Sequence, residues 1–311
     1  IDETMDVGTI PHQKTRQEIY DYVVSETEEL TTLLKEPKRN EYGRVDRVSA
    51  WFLLARVYLN AETWVGKNEY ANAYKYAKKV IDSGKFPLED KLNIRSFMAG
   101  TITEKEAVWG VYTTQILDNV KKNFYTYDMT YTWLPADDNT ALYSVAQEDG
   151  NDMRGNDWFR ILIGEEESDR IVRCMKIVNE TKISNPGAYT SKSIEGINMI
   201  RIPEMYLIAA EALLESDPDE AQKYFDTFIV SRGLFKYKDR PGSPQVTLED
   251  IVKERRKEFV QEGQYFYTLK RGNMDIYVDA LKTTLQGTDE LYTFIIPDEE
   301  FEYRYTEADE Q

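Results

Sequence analysis

Apolar side chains recur at helical spacing through the first third of the chain. Thr15-Arg16-Gln17-Glu18 has the spacing of a capping box, and the pattern after it predicts a helix that ends before Pro37. The apolar face of this helix is predicted to consist of Ile19, Tyr22, Val23, Leu30, Leu33 and Leu34. Two further helices are predicted over about 44–61 and 68–84, the second with Asn68 and Gly84 at its ends.

The same spacing returns in the last third. A helix is predicted from about Ile202 to Leu213, with Pro203 tolerated in its first turn. Asp217 and Pro218 mark the start of another helix, which Gly233 ends. A third helix is predicted over 248–262, capped by Thr247 and ended by Gly263.

The middle third lacks a helical period. Two apolar runs, Ala107–Tyr112 and Trp158–Ile163, have the length of strands, and Asp, Asn, Gly and aromatic residues surround them. Loop-rich segments of this length are usually functional or disordered, and the aromatic content argues against disorder.

These patterns predict a mainly α fold, a tetratricopeptide-like helical stack with an irregular, partly β, loop-rich insertion. Small alanines alternate with tyrosines along the helices, as closely packed helix pairs require. One compact domain is expected, with the first part of the stack in 1–100, the insertion in 101–198, and the second part with an acidic tail in 199–311.

Charge and composition exclude several functions. The formal net charge of −17 disfavours nucleic acid, anionic lipid and, less strongly, anionic glycans as partners. His12 is the only histidine and Cys174 the only cysteine, which excludes disulfides within the chain and zinc sites that need several of these residues. No apolar run approaches the roughly 20 residues of a membrane span.

Charged clusters are interpreted as structural. Glu254-Arg255-Arg256-Lys257-Glu258 is expected to fasten neighbouring helices through arginine–carboxylate pairs, rather than to supply acid–base chemistry. Glu204 and Glu211 are interpreted as helix-packing acids, and Asp152 and Arg154 as a tie between the insertion and the helices. No cofactor is predicted. Asp137–Asn139 and Glu148–Asp152 are oxygen-rich enough for calcium, but they lack the EF-hand spacing and favour turns.

Several segments, in this order, resemble the SusD/RagB-like glycan-binding lipoproteins of Bacteroidetes. The matching segments are Ala50–Leu59, Tyr76–Gly84, Asn151–Arg154, Arg201–Ala212, Ile251–Gly263 and Ile296-Pro297. The family's proteins are longer, so the chain is expected to correspond to a C-terminal portion. Thr268 stands where the family pattern has an acid.

The resemblance implies a non-catalytic protein that binds an oligosaccharide or polysaccharide at the cell surface of the outer membrane. It also implies a SusC-like TonB-dependent transporter as partner, and contact with the membrane only through an N-terminal lipid anchor that this chain does not contain. The alternative is a helical-repeat module that binds proteins and no glycan.

The family's glycan site lies in irregular segments outside the stack. Stacking on sugars needs aromatic planes, and sugar hydroxyls need polar partners. Residues of both kinds are expected to bind the ligand, although packing is the commoner role for each aromatic: Tyr127, Tyr131, Trp133, Asp137 and Asp138, with Trp158 and Arg160 as a second candidate group. Trp133 is the strongest single candidate.

Overall fold

A computed structural model describes the chain in several ranges. These are 14–36, 44–89, 101–102, 105–113, 115–120, 122, 142–162, 171–178, 194–278, 281–295 and 297. The helices within them are α1 Arg16–Leu33, α2 Arg47–Leu59, α3 Ala61–Val65, α4 Tyr70–Asp82, α5 Ile116–Val120, α6 Met153–Asp157, α7 Pro203–Leu213, α8 Pro218–Ser231, α9 Leu248–Glu258 and α10 Tyr265–Arg271. Across these ranges, no helix combines the length and the apolar character that crossing a membrane requires.

Local capping sets where several helices begin. In α1, the Glu18 backbone N–H donates to Thr15 Oγ1 (3.2 Å) and the Thr15 backbone N–H donates to the Glu18 carboxylate (2.8 Å). Thr247 and Asp250 make the same reciprocal pair at α9, and Asp217 caps α8. These starts confirm the sequence predictions.

The predicted end of α9 is wrong. The helix stops at Glu258, because the chain turns at Phe259 and the Glu262 N–H donates to the Phe259 carbonyl three residues back (3.0 Å). Gln261 then adopts a left-handed conformation, with φ of 64°. This turn brings Glu262 back towards the helical body, where it has a role described below.

Successive long helices pack side by side. α1 lies on α2, α2 on α4, α4 on α7, and α7 on both α8 and α9. Alanines such as Ala55, Ala73, Ala77 and Ala209 are fully buried in the contacts, beside larger side chains such as Phe52 and Met205. The predicted mainly α fold with a helical stack is confirmed.

The face of α1 that meets the stack differs from the prediction. Its buried residues are Tyr20 and Thr27, whereas the predicted apolar positions Ile19, Tyr22, Leu30 and Leu33 are exposed. Glu28 anchors the helix, since its Oε1 accepts hydrogen bonds from the hydroxyls of both Tyr58 (3.0 Å) and Tyr76 (3.1 Å). The two tyrosine rings stack, with centroids 5.7 Å apart.

Small antiparallel sheets accompany the stack. β5 (Ile194–Arg201) lies between β1 (Thr101–Ile102) and β2 (Ala107–Tyr112), and β3 (Phe159–Leu162) pairs with β4 (Ile171–Cys174). A third pair joins β6 (Ile276–Val278) to β7 (Thr283–Leu285). Strands thus occur at both predicted positions, and the partly β character is confirmed. The division into three stretches of one domain stays a prediction.

Candidate functional site

Most of the predicted ligand residues lie outside the described residues. These are Tyr127, Tyr131, Trp133, Asp137 and Asp138. Arg160 lies in β3, where its backbone is paired with Arg173 of β4, and its side chain is outside the description. A sugar contact at these residues stays a prediction.

Trp158 is placed where it cannot serve as predicted. Its ring is completely buried, packed against Met153, Phe159 and Val260. The Lys176 ammonium lies 4.3 Å from the ring centroid. A ring covered on its face by a cation and enclosed by apolar side chains offers no plane to a sugar, so the assignment of Trp158 as a ligand contact is wrong.

A buried charge cluster fills the region where the middle of the chain meets α8 and α9. At its centre, Glu258 accepts hydrogen bonds from Arg232 Nε (2.9 Å) and Nη2 (2.8 Å) and from Arg201 Nη1 (3.0 Å). Glu106, just before β2, accepts from the same two arginines at 2.8–3.1 Å. All four side chains are fully buried.

Asp152 and Arg154 tie the middle segment to α9. Arg154 donates to both oxygens of Asp152 (2.8 Å each), to Glu254 (2.6 Å) and to Glu258 (3.3 Å). Lys257 also donates to Asp152 (2.8 Å). The interpretation of Asp152, Arg154 and the α9 charge run as fasteners is therefore confirmed.

The turn after α9 completes the cluster. Glu262 accepts from Arg201 Nε (3.0 Å) and Nη2 (2.6 Å), and it also pairs with Lys176. Lys176 Nζ donates further to the Glu258 carbonyl (2.5 Å). The members of the charge cluster are the cations Arg154, Lys176, Arg201, Arg232 and Lys257 and the carboxylates Glu106, Asp152, Glu254, Glu258 and Glu262. Their formal charges cancel.

The electrostatics argue against Glu258 and Asp152 as general acids at neutral pH. Burial alone raises the pKa of Glu258 and Asp152, but the neighbouring arginines outweigh it and hold both pKa values below the ordinary range. A general acid needs a carboxyl that is protonated near the working pH. These carboxylates stay charged and are fully occupied by cations, so they serve the architecture.

Two glutamates of α7 have the helix-packing role expected of them. Arg56 of α2 donates to both oxygens of Glu204, at 2.7 and 2.5 Å. Glu211 pairs with Arg271 of α10 and, at 3.2 Å, with Arg255 of α9. The cation–carboxylate pairs thus join α7 to three other helices.

Backbone contact holds the segment that carries Asp152 in place. Asn151 N–H donates to the Gly233 carbonyl (3.1 Å) and Met153 N–H to the Arg232 carbonyl (3.0 Å). Gly233 has φ of 92°, and a Cβ built there meets the Asn151 carbonyl oxygen at 2.3 Å. Only glycine allows the two segments to approach this closely.

Metal and thiol chemistry find no support in the described part of the chain. Across those ranges, no three His, Cys, Asp or Glu side chains are grouped to hold a metal ion. The Asp152 carboxylate is taken by Arg154 and Lys257, and Asp137 and Asp138 lie outside these ranges. Cys174 is fully buried, and burial raises the pKa of its thiol to about 12, which keeps the nucleophilic thiolate scarce.

Sequence reasoning assigned no role to five members of the charge cluster, Glu106, Lys176, Arg201, Arg232 and Glu262. Lys176 stands between apolar neighbours, Met175 and Ile177, whereas Glu106 directly follows another charged residue, Lys105. A charged residue among apolar neighbours can indicate a buried ion pair. It does not identify the partner, which lies 26 to 126 positions away in the chain for Arg232.

Comparison with known proteins shows that the chain is similar to members of one protein family. The model of the SusD family matches residues 97–306. The starch-binding protein SusD of Bacteroides thetaiotaomicron is 40% identical over 74 residues, which cover 24% of this chain and 13% of that protein.

Solved structures show the same fold. A SusD superfamily protein from Bacteroides thetaiotaomicron superposes with a TM-score of 0.70 at 24% identity, covering 96% of this chain and 67% of that one. The surface glycan-binding protein A from the same organism, in complex with laminarihexaose, gives 0.63 at 18% identity, covering 95% and 72%. The chain spans about two thirds of the length of such structures.

Proposed function

Because this chain belongs to the SusD family, we propose that it is a non-catalytic cell-surface protein that binds an oligosaccharide or polysaccharide and delivers it to a SusC-like TonB-dependent transporter. The observation that carries the proposal is the family match, which covers the whole irregular segment as well as the second half of the stack. A structural neighbour that binds laminarihexaose supports the ligand class.

The arrangement of the buried charges supports a role in ligand binding rather than in catalysis. The carboxylates of the charge cluster pair with cations and hold the helices together. The described residues around Asn151–Arg154 are fixed to α8 and α9 by the charge cluster and by the Gly233 contact. Binding residues on loops over a rigid base are a common arrangement.

Native affinity electrophoresis tests the glycan proposal. The chain is run through gels that each contain one soluble polysaccharide, beside a non-binding control protein. Selective retardation in one gel is expected, and Trp133→Ala should remove it while Tyr22→Ala, on the exposed face of α1, should not. No retardation in any gel would contradict the proposal for this chain, and full retardation of Trp133→Ala would refute the assigned site.

Surface localisation and the transporter belong to the same proposal. When protease is added to intact cells that express the full-length protein with its own leader, the protein should be degraded. The SusC-like transporter should co-purify with it after mild detergent extraction. Protection from protease in intact cells would contradict the surface assignment.

A protein-binding role is the second candidate, and one observation favours it. An apolar groove of about 510 Å³ runs between α1, α2, α3 and the segment at 289–294. Ile19, Leu53 and Phe294 line this groove and are exposed. If the groove binds a partner protein, Leu53→Glu should abolish co-purification of that partner. Co-purification that Leu53→Glu retains would contradict this role.

A further inference from the structure

A cleft of about 280 Å³ lies on the helical stack, where α2 and α3 face α9 and α10. It is close to the lower end of the sizes of small-ligand sites, about 300 Å³. Two aromatic rings line it, Trp64 and Tyr267, which are 39% and 62% exposed. An exposed indole beside an exposed phenol offers flat apolar surface to a ligand that is itself partly polar.

Polar groups line the same cleft. Asn60 lies on the α2 side and Gln264 on the α10 side. The Asn60 amide nitrogen donates to the Arg56 carbonyl (2.7 Å), which orients its side chain. Amide groups of this kind both donate and accept, as recognition of sugar hydroxyls requires.

The charge of the cleft is opposite to that of the protein. Its lining includes the cations Arg56, Arg255, Lys270 and Arg271, and a single carboxylate, Glu204. Glu211, which pairs with Arg255 and Arg271, adds one more negative charge nearby. Among these groups the cations exceed the carboxylates, within a chain whose net charge is −17.

One cation in the cleft wall is incompletely paired. Arg255 is 5% exposed, and its Nε atom is buried without a hydrogen-bond partner. Burial, together with the nearby Arg271, lowers the pKa of Arg255 despite the opposing effect of Glu211. The Nε atom is itself buried, so a ligand in the cleft would meet Arg255 only through the part of its side chain that lines the cleft.

We propose that this cleft is a second ligand site, separate from the irregular segment, and that it binds a sugar unit that carries a carboxylate. Trp64 and Tyr267 pack against the ring, Asn60 and Gln264 meet its hydroxyls, and the arginines of the wall bind the acid group. The overall negative charge disfavours such ligands at long range, but the local excess of cations reverses that preference within the cleft.

Calorimetry with a charged and a neutral form of one sugar tests the proposal. The probes are the trisaccharide of α-1,4-linked galacturonic acid and its fully methyl-esterified form. The acid should bind the 311-residue chain at least about tenfold more tightly than the ester, since it alone makes charge-assisted hydrogen bonds. Its affinity should fall as salt is raised. Equal binding of the two forms, or no binding of the acid, would overturn the proposal.

Variants of exposed residues locate the site without risk to the fold. Trp64→Ala and Tyr267→Ala should each weaken binding of the acid at least about threefold. Tyr22→Ala removes an equally exposed tyrosine on α1, outside the cleft, and should bind like the parent. Arg255→Gln should abolish the preference for the acid over the ester if it folds. Unchanged affinity in both aromatic variants would overturn the assignment. Trp133→Ala tests the irregular segment, whereas Trp64→Ala and Tyr267→Ala test the cleft, so the two proposals fail separately.

Discussion

Arg154 and Glu258 are in contact at 3.3 Å, with both side chains fully buried, although 104 positions separate them in the chain. Arg154 belongs to the middle of the chain and Glu258 ends α9 of the stack. The pair therefore joins the region expected to bind a ligand to the helices that support it. Around it, cations and carboxylates alternate, so each charge has opposite neighbours in a low-dielectric interior.

Removal of one charge from the cluster should be costly. Glu258→Gln leaves Arg154, Arg201 and Arg232 with an uncompensated positive charge, for which about 3–5 kcal/mol of unfolding free energy is expected to be lost. Urea denaturation measures this loss. Lys253→Gln, at an exposed position of the same helix, should change stability by less than about 0.5 kcal/mol. Equal effects of the two variants would contradict a structural role for the cluster.

Acid should destabilise the protein through the same cluster. Burial alone raises the pKa of Asp152, Glu258 and Glu262, yet their cationic neighbours hold all three below the ordinary range. A carboxyl whose pKa is depressed in the folded state contributes stability above its unfolded pKa, about 4, and loses it as the pH falls through the folded value.

The unfolding free energy should therefore be nearly constant between about pH 7 and 5 and decline below about pH 4.5. Urea titrations at a series of pH values measure this dependence. Glu262→Gln removes one of the three groups and should make the decline shallower. Stability that persists unchanged at pH 3 would contradict this account.

Substitution of Gly233 should separate steric contact from backbone strain. Gly233→Ala places a Cβ 2.3 Å from the Asn151 carbonyl oxygen and also strains a backbone with φ of 92°. Gly242→Ala imposes similar strain at φ of 77°, but no atom lies within 4 Å of the new Cβ. Gly242→Ala should cost about 1–2 kcal/mol, and Gly233→Ala clearly more, as measured by thermal unfolding. Equal costs would show that the close approach is unimportant.

Substitution of Trp158 should lower the stability of the protein. Trp158→Ala empties a completely buried position and removes the ring beneath the Lys176 ammonium, so a loss of about 3–5 kcal/mol is expected. Trp64→Ala, at a partly exposed ring, should cost much less. Chemical denaturation compares the two variants. A Trp158→Ala protein that is as stable as the parent would contradict the observed packing.

The sequence predicts those features of the structure that depend on residues close together in the chain. Thr15, Asp217 and Thr247 begin helices because their side chains accept hydrogen bonds from backbone amides three residues on, a spacing that the sequence reveals. The strand at Ala107–Tyr112 also follows from a short apolar run. The α9 charge run was interpretable as a fastener because its acids recur one helical turn apart.

Long-range relationships could not be predicted in this way. The spacing of apolar residues in α1 does not determine which face of the helix packs against its neighbours. In the structure, the buried positions are Tyr20 and Thr27. The pattern Asp157-Trp158-Phe159-Arg160 predicts a ligand contact, but it is the same whether the Trp158 ring is exposed or buried. The cleft between Trp64 and Tyr267 joins helices about 200 positions apart.

The few buried residues of α1 make this helix a candidate for local unfolding. The helix buries Tyr20 and Thr27, and Glu28 connects it to the stacked pair of Tyr58 and Tyr76. A unit with so few buried contacts unfolds locally at a lower free energy than the core. Backbone amides of α1 should therefore exchange with deuterium well before those of α7, and the groove beside Leu53 would lose one wall in each such opening.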